Sequence, residues 1–424
     1  MNNNSIWNKN FMIFILALEL HLIAKTLIRF ALPLYILIET GNPALMGMVL
    51  SLSALPLIIL SPIGGALTDK FSKKKILATM NLLSAIVVSV YFIISPVNHI
   101  VIVILLTMMF VSMLESLISP ASDASIPFLV PTDKLIKANS VIVLLTNISS
   151  IGAPVLGGFI LRSGGLSELL IAITALYVLA STINVFVNIP KPEQLGGQTE
   201  NKGSLVTGFL RDMEGGIVFV TKENQSVGKM IFLVFFLAIT MITSMTITVP
   251  TLMVTYLEMP EHLIGLAQGF VVFGGTLAAI ILPMLKGKAS HRTSRTILFI
   301  PSLTIAITGM LMLFFESQAV SFILLLACFF IAQIFLTMYA VIYFSYLGEK
   351  TPQHLVGKVM GLAVSSSVLG FALGDFLHGV LFSVFATTPG VALIILGLIS
   401  IIVALNAKII ENEKRNLSNF PDKK

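Results

Sequence analysis

Twelve apolar runs follow one another along the chain, each separated from the next by a polar or charged stretch. They cover residues 11–38, 43–68, 76–95, 99–121, 136–161, 168–188, 228–256, 262–285, 295–315, 319–347, 355–384 and 390–408. A helix needs about 20 apolar residues to cross a hydrocarbon core about 30 Å thick. The strands of a membrane barrel would instead alternate over about ten residues. These runs are solid and long, so the pattern predicts an all-α integral membrane protein with twelve transmembrane helices. The first run is too long for the apolar segment of a secretory signal, and no small-residue cleavage site follows it.

The longest polar interruption divides the chain into two sets of six spans. The predicted organisation is a six-helix bundle over 1–190, a linker over 191–227, a second six-helix bundle over 228–410 and a charged tail over 411–424. Within the linker, Leu205, Phe209, Met213, Ile217 and Val220 fall near helical spacing beside Arg211, Asp212 and Glu214. That pattern predicts a short amphipathic helix on the membrane surface. An internal repeat at an offset of about 220 residues supports two pseudo-symmetric halves. Pro131-Thr132-Asp133-Lys134-Leu135 parallels Thr351-Pro352-Gln353-His354-Leu355, and Lys73-Lys74-Lys75-Ile76-Leu77 parallels Ser294-Arg295-Thr296-Ile297-Leu298. Both halves start on the same side, so the repeat is parallel, an architecture that places a substrate site between the halves.

Charge fixes the sidedness. All but three of the 26 Lys and Arg fall on the side of the N-terminus; the exceptions are Arg162, in an outer loop, and Lys25 and Arg29, inside the first span. Basic residues concentrate on the cytoplasmic face. Both termini are therefore expected in the cytoplasm of a cell whose plasma membrane the chain crosses many times. Only 11% of the 424 residues are charged and 56% are hydrophobic, against about 25% charged in soluble domains. The formal charge of +6 is thus a matter of topology, and no nucleic-acid partner is expected. One cysteine, Cys328, excludes an internal disulfide and a multi-thiolate metal site. No phosphate-binding Gly-Lys-Ser/Thr loop, zinc-binding His-Glu-x-x-His or serine elbow is present. The expectation is a protein without a cofactor that is not an enzyme.

Gly65-Ala66-Leu67-Thr68-Asp69-Lys70-Phe71-Ser72-Lys73-Lys74 resembles the signature between the second and third helices of the major facilitator superfamily. The family usually has Gly where Ser72 stands and Arg where Lys73 stands. Ala153-Pro154-Val155-Leu156-Gly157-Gly158 resembles the fifth-helix motif of its antiporter branch, with Ala153 in place of the usual Gly. Pro120, Ala124, Pro127, Leu129-Val130-Pro131, Leu135 and Ala138-Asn139-Ser140, with Gly357-Lys358-Val359-Met360, are similar to the macrolide-efflux and enterobactin-exporter-like group. The resemblance implies alternating access, with Asp69 in a latch that forms and breaks, and with helices 1, 4, 7 and 10 lining a central cavity. Two readings stand for Lys73 and Lys74, which belong either to that latch or only to the basic topology signal. Pro154, Gly157 and Gly158 either bend the fifth span for gating or only pack it.

A charge at mid-bilayer costs about 2.5–3.5 kcal/mol on insertion scales, so such residues mark function by default. The candidates are Glu19, Lys25, Arg29, Glu115, Asp123, Asp375 and His378. His21, Lys25 and Arg29 climb one stripe of the first helix at four-residue spacing. Glu19 and Glu115 are expected to face one space and to carry a proton between them; Lys25 and Arg29 either bind cargo or neutralise them. Asp375 and His378, at i and i+3, form a candidate local pair, and Asp123 is assigned to a gate. Gln333, Phe335, Tyr339 and Tyr343 are candidate cavity residues on the tenth span, which holds three of the seven tyrosines. That face suits either an apolar cargo or an interfacial anchor.

The expected function is proton-driven efflux of a hydrophobic or amphipathic small molecule by a monomer in a lipid bilayer. A second reading is export of an anionic metabolite or siderophore, with Lys25 and Arg29 as the anion site. A third is lipid handling on the same scaffold.

Overall fold

The computed structural model describes residues 6–94, 99–189, 215–285, 294–314 and 317–417. Among these residues the regular structure is entirely helical. We label the helices α1 (Lys9–Thr40), α2 (Pro43–Lys70), α3 (Lys73–Ile94) and α4 (Ile100–Asp123). The stretch Leu135–Phe186 is broken at Gly165 into α5 (135–164) and α6 (166–186). There follow α7 (Gln225–Tyr256), α8 (Glu261–Ile281), α9 (Ser294–Phe314), α10 (Gln318–Lys350), α11 (Val356–Val384) and α12 (Pro389–Leu417). Ten helical stretches are long and apolar enough to cross a membrane. Gly165 divides one of them, and the apolar part of α12, Pro389–Leu405, adds a shorter one. The described residues thus hold the twelve spans that the hydrophobic pattern predicts.

Local chemistry sets the helix ends. Asn8 caps α1: its Oδ1 accepts from the Phe11 N–H at 2.9 Å, and its Nδ2 donates to the Leu129 carbonyl at 2.7 Å. α1 stops at Gly41, whose φ of 60° suits a residue without a Cβ. Asn42 then caps α2, accepting from Ala44 N–H at 2.9 Å, with Pro43 in the first turn. The join between α5 and α6 is tighter than the sequence implies. Instead of a loop near 162–167, a single glycine with φ 76° and ψ −160° turns the chain between two helices.

Three further features go beyond the sequence pattern. α12 runs helically to Leu417, past the expected start of a tail at 411. Its Glu, Lys, Arg and Leu residues are strong helix formers, and no Gly or Pro interrupts them there. In the linker, Leu205, Phe209 and Met213 lie outside the described residues. The part that is described, 215–223, is helical, with Val220 buried and Ile217 43% exposed. Finally, α7 contains three π-helical turns, Ala238–Ile242, Ser244–Thr248 and Leu252–Tyr256.

The chain forms two compact units. The first comprises residues 1–39, 52–209 and 260–269; the second comprises 40–51, 210–259 and 270–424. In the first unit, Phe11, Phe14, Leu77, Ile118, Leu129 and Val187 form a buried cluster that gathers the ends of α1, α3, α4 and α6. Glycines set the closest helix contacts. A methyl group at Gly64 would stand 1.9 Å from the Ser116 carbonyl oxygen, which brings α2 against α4. One at Gly158 would stand 2.5 Å from the Glu261 carbonyl oxygen, and one at Gly265 would stand 2.3 Å from that of Pro154. In the second unit, a methyl at Gly47 would stand 2.2 Å from the Asp375 carbonyl oxygen.

Candidate functional site

In the first unit, α1 turns His21 and Lys25 toward α4, because residues four apart share a helix face. Both meet Glu115. Lys25 Nζ donates to Glu115 Oε1, and His21 Nε2 lies 3.0 Å from Oε2. Glu115 is 6% exposed and His21 3%. From α3, Asn81 approaches the other ring nitrogen of His21, with Oδ1 2.9 Å from Nδ1. The Asn81 amide is oriented by its own helix, since Nδ2 donates to the Leu77 carbonyl at 2.7 Å. Oδ1, an acceptor, therefore faces the ring, and Nδ1 must carry a proton. The Tyr177 ring of α6 closes the site, its centroid 5.9 Å from that of His21.

This geometry limits the proton states. With Nδ1–H fixed on Asn81, a neutral His21 presents a bare lone pair at Nε2. Facing an ionised carboxylate at 3.0 Å, that lone pair would repel it. The contact thus requires a proton between Nε2 and Oε2, carried by either group. Lys25 supplies the standing positive charge. The arrangement is a buried ionic cluster in which His21, Lys25 and Glu115 are held in direct contact.

The other expected residues are placed as follows. Glu19 does not share a proton with Glu115. Its Oε1 accepts from Ser149 Oγ of α5 at 2.9 Å, and its Oε2 is buried with no partner among the described residues. The carboxylate pair is thus corrected to two separately partnered groups, because α4 offers Glu115 to the His21–Lys25 face of α1. Arg29, at the top of the same stripe, is exposed, as is Asp123 at the end of α4. Lys73 is buried, with Nζ 5.1 Å from the centre of the Phe128 ring; Lys74 is half-buried. The Asp69 side chain lies outside the described residues. Gly65 has open space around it, and the close approach belongs to Gly64. Gly157 packs on Leu27 and Phe30 of α1, while Pro154 and Gly158 pack on 261–265 of α8.

In the second unit, a cavity of about 250 Å³ lies between α7, α10 and α11, walled by Leu237, Leu336, Tyr339, Tyr343, Val364 and Phe371 among others. Tyr339 OH donates to Met230 sulfur at 3.6 Å, and Tyr343 OH has no partner among the described residues. Gln333 and Phe335 do not line this cavity. Gln333 stands against Gly275 of α8 instead. Asp375 and His378 are both buried, and each meets a hydroxyl of α7. Thr246 Oγ1 donates to Asp375 Oδ1, and Ser244 Oγ contacts His378 Nε2, both at 3.0 Å. Sequence reasoning did not single out Asn81 or Tyr177. The only signal for Asn81 is one amide among apolar positions of α3.

Twelve apolar helices, an ionic cluster buried in one unit and an apolar cavity in the other are the makings of a membrane transporter. The Major Facilitator Superfamily profile matches residues 14–375 and 231–424, and the chain belongs to that family. It is a multi-pass membrane transporter of small molecules and not an enzyme. Macrolide efflux protein A of Streptococcus pyogenes is 25% identical over 365 residues, covering 83% of this chain and 84% of that protein. Enterobactin exporter EntS of Salmonella paratyphi A is 22% identical over 404 residues, covering 92% and 90%. Among solved structures, the nucleoside transporter NupG has the same fold, with a TM-score of 0.73 at 15% identity over 97% of this chain and 99% of that one.

Proposed function

We propose that the protein exports hydrophobic or amphipathic small molecules across the plasma membrane in exchange for protons, working as a monomer by alternating access. The observation that carries proton coupling is the His21–Glu115 contact at 3.0 Å, which needs a shared proton because Asn81 already fixes the other ring nitrogen. Loss of that proton sets a bare lone pair against a carboxylate and drives the two groups apart, leaving Lys25 as the remaining partner. A step in protonation thus becomes a step in the packing of α1 on α4. The cavity beside Tyr339 and Tyr343 supports an apolar cargo, as does the name of the macrolide-efflux relative. The charge distribution supports cytoplasmic termini, and the halves 1–190 and 228–410 are the parts that alternate. Asp69 with Lys73 and Lys74 would form the latch, and Pro154, Gly157 and Gly158 the gating stretch, with Asp123 beside them.

A second reading has one specific support. Arg29 is exposed and Lys25 partly so, and a relative is named for enterobactin export, so an anionic cargo on these two cations is the alternative.

The test is reconstitution in liposomes with an imposed pH gradient, following lumenal pH while lipophilic cations, neutral macrolides and anionic chelators are added in turn. Proton movement triggered by the lipophilic cations or the macrolides supports the first reading. A response to chelators alone supports the second. No proton movement with any cargo that is itself transported would falsify the coupling.

A further inference from the structure

The cavity of the second unit has walls from three helices. α10 and α11 each give one stripe at helical spacing, from Leu336 to Phe344 and from Val364 to Phe371, and α7 closes the third side with Val234, Leu237 and Ile242. α11 is pinned against α7 beside this space. A methyl group at Gly370 would stand 2.7 Å from the Phe235 carbonyl oxygen, and one at Gly374 would stand 2.3 Å from Thr243 Oγ1. Close-packed helices leave a wall little room to yield, so the cavity has a set size, about 250 Å³.

The walls offer a guest almost no polar group. Among the described residues that line the cavity, none is acidic, basic or a histidine, and only three side chains carry an oxygen. Ser367 Oγ is turned back to the Ala363 carbonyl at 2.9 Å, and Tyr339 OH is turned to Met230 sulfur at 3.6 Å. Tyr343 OH is buried among protein atoms, with no partner among the described residues, so this phenol gives the cavity its ring and not its hydroxyl. A guest with a charge or a strong hydrogen-bonding group would give up its hydration here and receive nothing in exchange.

Size narrows the guest further. A dry apolar cavity of about 150 Å³ takes a benzene ring, and drug-sized ligands fill about 300–1,000 Å³. The space between Tyr339, Tyr343 and Phe371 lies between these limits. We propose that this cavity binds one neutral aromatic ring bearing a short alkyl chain, selected by volume and by the absence of polar groups, and that a macrolide-sized molecule does not enter it. The inference rests on the apolar-cargo reading above and narrows it to small alkylbenzene-like compounds.

The test is photolabelling of the whole protein in lipid nanodiscs with a phenyl diazirine, mapped by mass spectrometry. Label on Tyr343, Val364 and Phe371 should saturate and should be displaced by n-butylbenzene, whereas label on lipid-facing residues should not saturate. Ala340→Leu, which fills the space, should raise the butylbenzene needed for displacement at least tenfold; Val368→Phe serves if that variant does not fold. Leu336→Ala, which enlarges the space, should let biphenyl compete where it does not in the wild type. Absence of saturable label on the walls of folded protein overturns the proposal, as does an unchanged displacement curve in both filling variants. Equal displacement by a neutral macrolide overturns the size limit. A tenfold preference for acetophenone over ethylbenzene that Tyr343→Phe removes overturns the apolar character. The labelling needs neither a pH gradient nor transport, so its failure is distinct from failure of the liposome test of proton-coupled export.

Discussion

The two units bury their polar groups in different ways. In the first, Glu115 is locked between Lys25 and His21, an ionic knot in which each partner comes from α1 and the anion from α4. In the second, His378 and Asp375 of α11 meet neutral hydroxyls and carbonyls of α7. A buried ion pair is unforgiving: removing one member leaves a charge uncompensated, at about 3–5 kcal/mol. A hydroxyl can rotate and serve as donor or acceptor. The first arrangement suits a contact that makes or breaks as a whole, and the second suits helices that stay packed while their hydroxyls reorient.

Six substitutions, two of them serving as comparisons, break or sharpen this contrast, given from the largest expected effect to the smallest. Glu115→Gln should abolish accumulation driven by a pH gradient, because no carboxylate remains to share a proton with His21. It should also lower the unfolding temperature in detergent. Exchange of cargo down its own gradient should persist; if gradient-driven accumulation persists too, the ionic knot is not the coupling site. Gly374→Ala should disturb the second unit by overpacking α11 on α7, at about 1–3 kcal/mol. Gly65→Ala, which meets open space, is its control, and equal thermal shifts in the two would contradict the close contact. Lys25→Met should weaken coupling more than Arg29→Gln, since only Lys25 touches Glu115. The opposite order in a transport assay with an anionic chelator would favour the anionic-cargo reading. Phe128→Leu should remove the ring beneath Lys73 and lower stability by about 0.5–2 kcal/mol, read as a small drop in thermal midpoint with transport kept.

pH sharpens the same contrast. Under the proposed coupling, release of the proton shared between His21 and Glu115 parts the two side chains. Cross-linking of cysteines placed on the facing surfaces of α1 and α4 should therefore fall with rising pH in the wild type. It should not respond in the Glu115→Gln protein.

The spans were legible because solid apolar runs leave a helix few alternatives in a bilayer. The charges at Lys25 and Glu115 were legible as intramembrane positions, but their partners were not. The stripe of α1 presents His21, Lys25 and Arg29 alike, and only the depth of Glu115 on α4 decides which two it meets. Arg29 stands about 6 Å beyond Lys25 along the helix. The same limit explains α10. Leu336, Tyr339, Ala340, Tyr343 and Phe344 line the cavity at helical spacing, whereas Gln333 and Thr337, four apart, face Gly275 of α8. Phe335, also expected at a cavity from its aromatic character, does not line this one. The π turns of α7 had no signal, because the Thr-rich stretch 240–251 reads as ordinary apolar helix until Pro250.

Those π turns also bear on how the gene can change. Each closes over one residue more than an α turn, so each accommodates one extra residue inside the helix. Deleting one residue between Ala238 and Ile242 would let the backbone fall back into α register with the flanking faces kept. A deletion within α10 would instead rotate everything beyond it by about 100°. The seventh span should thus tolerate a one-residue deletion at a π turn better than the tenth span tolerates one at any interior position.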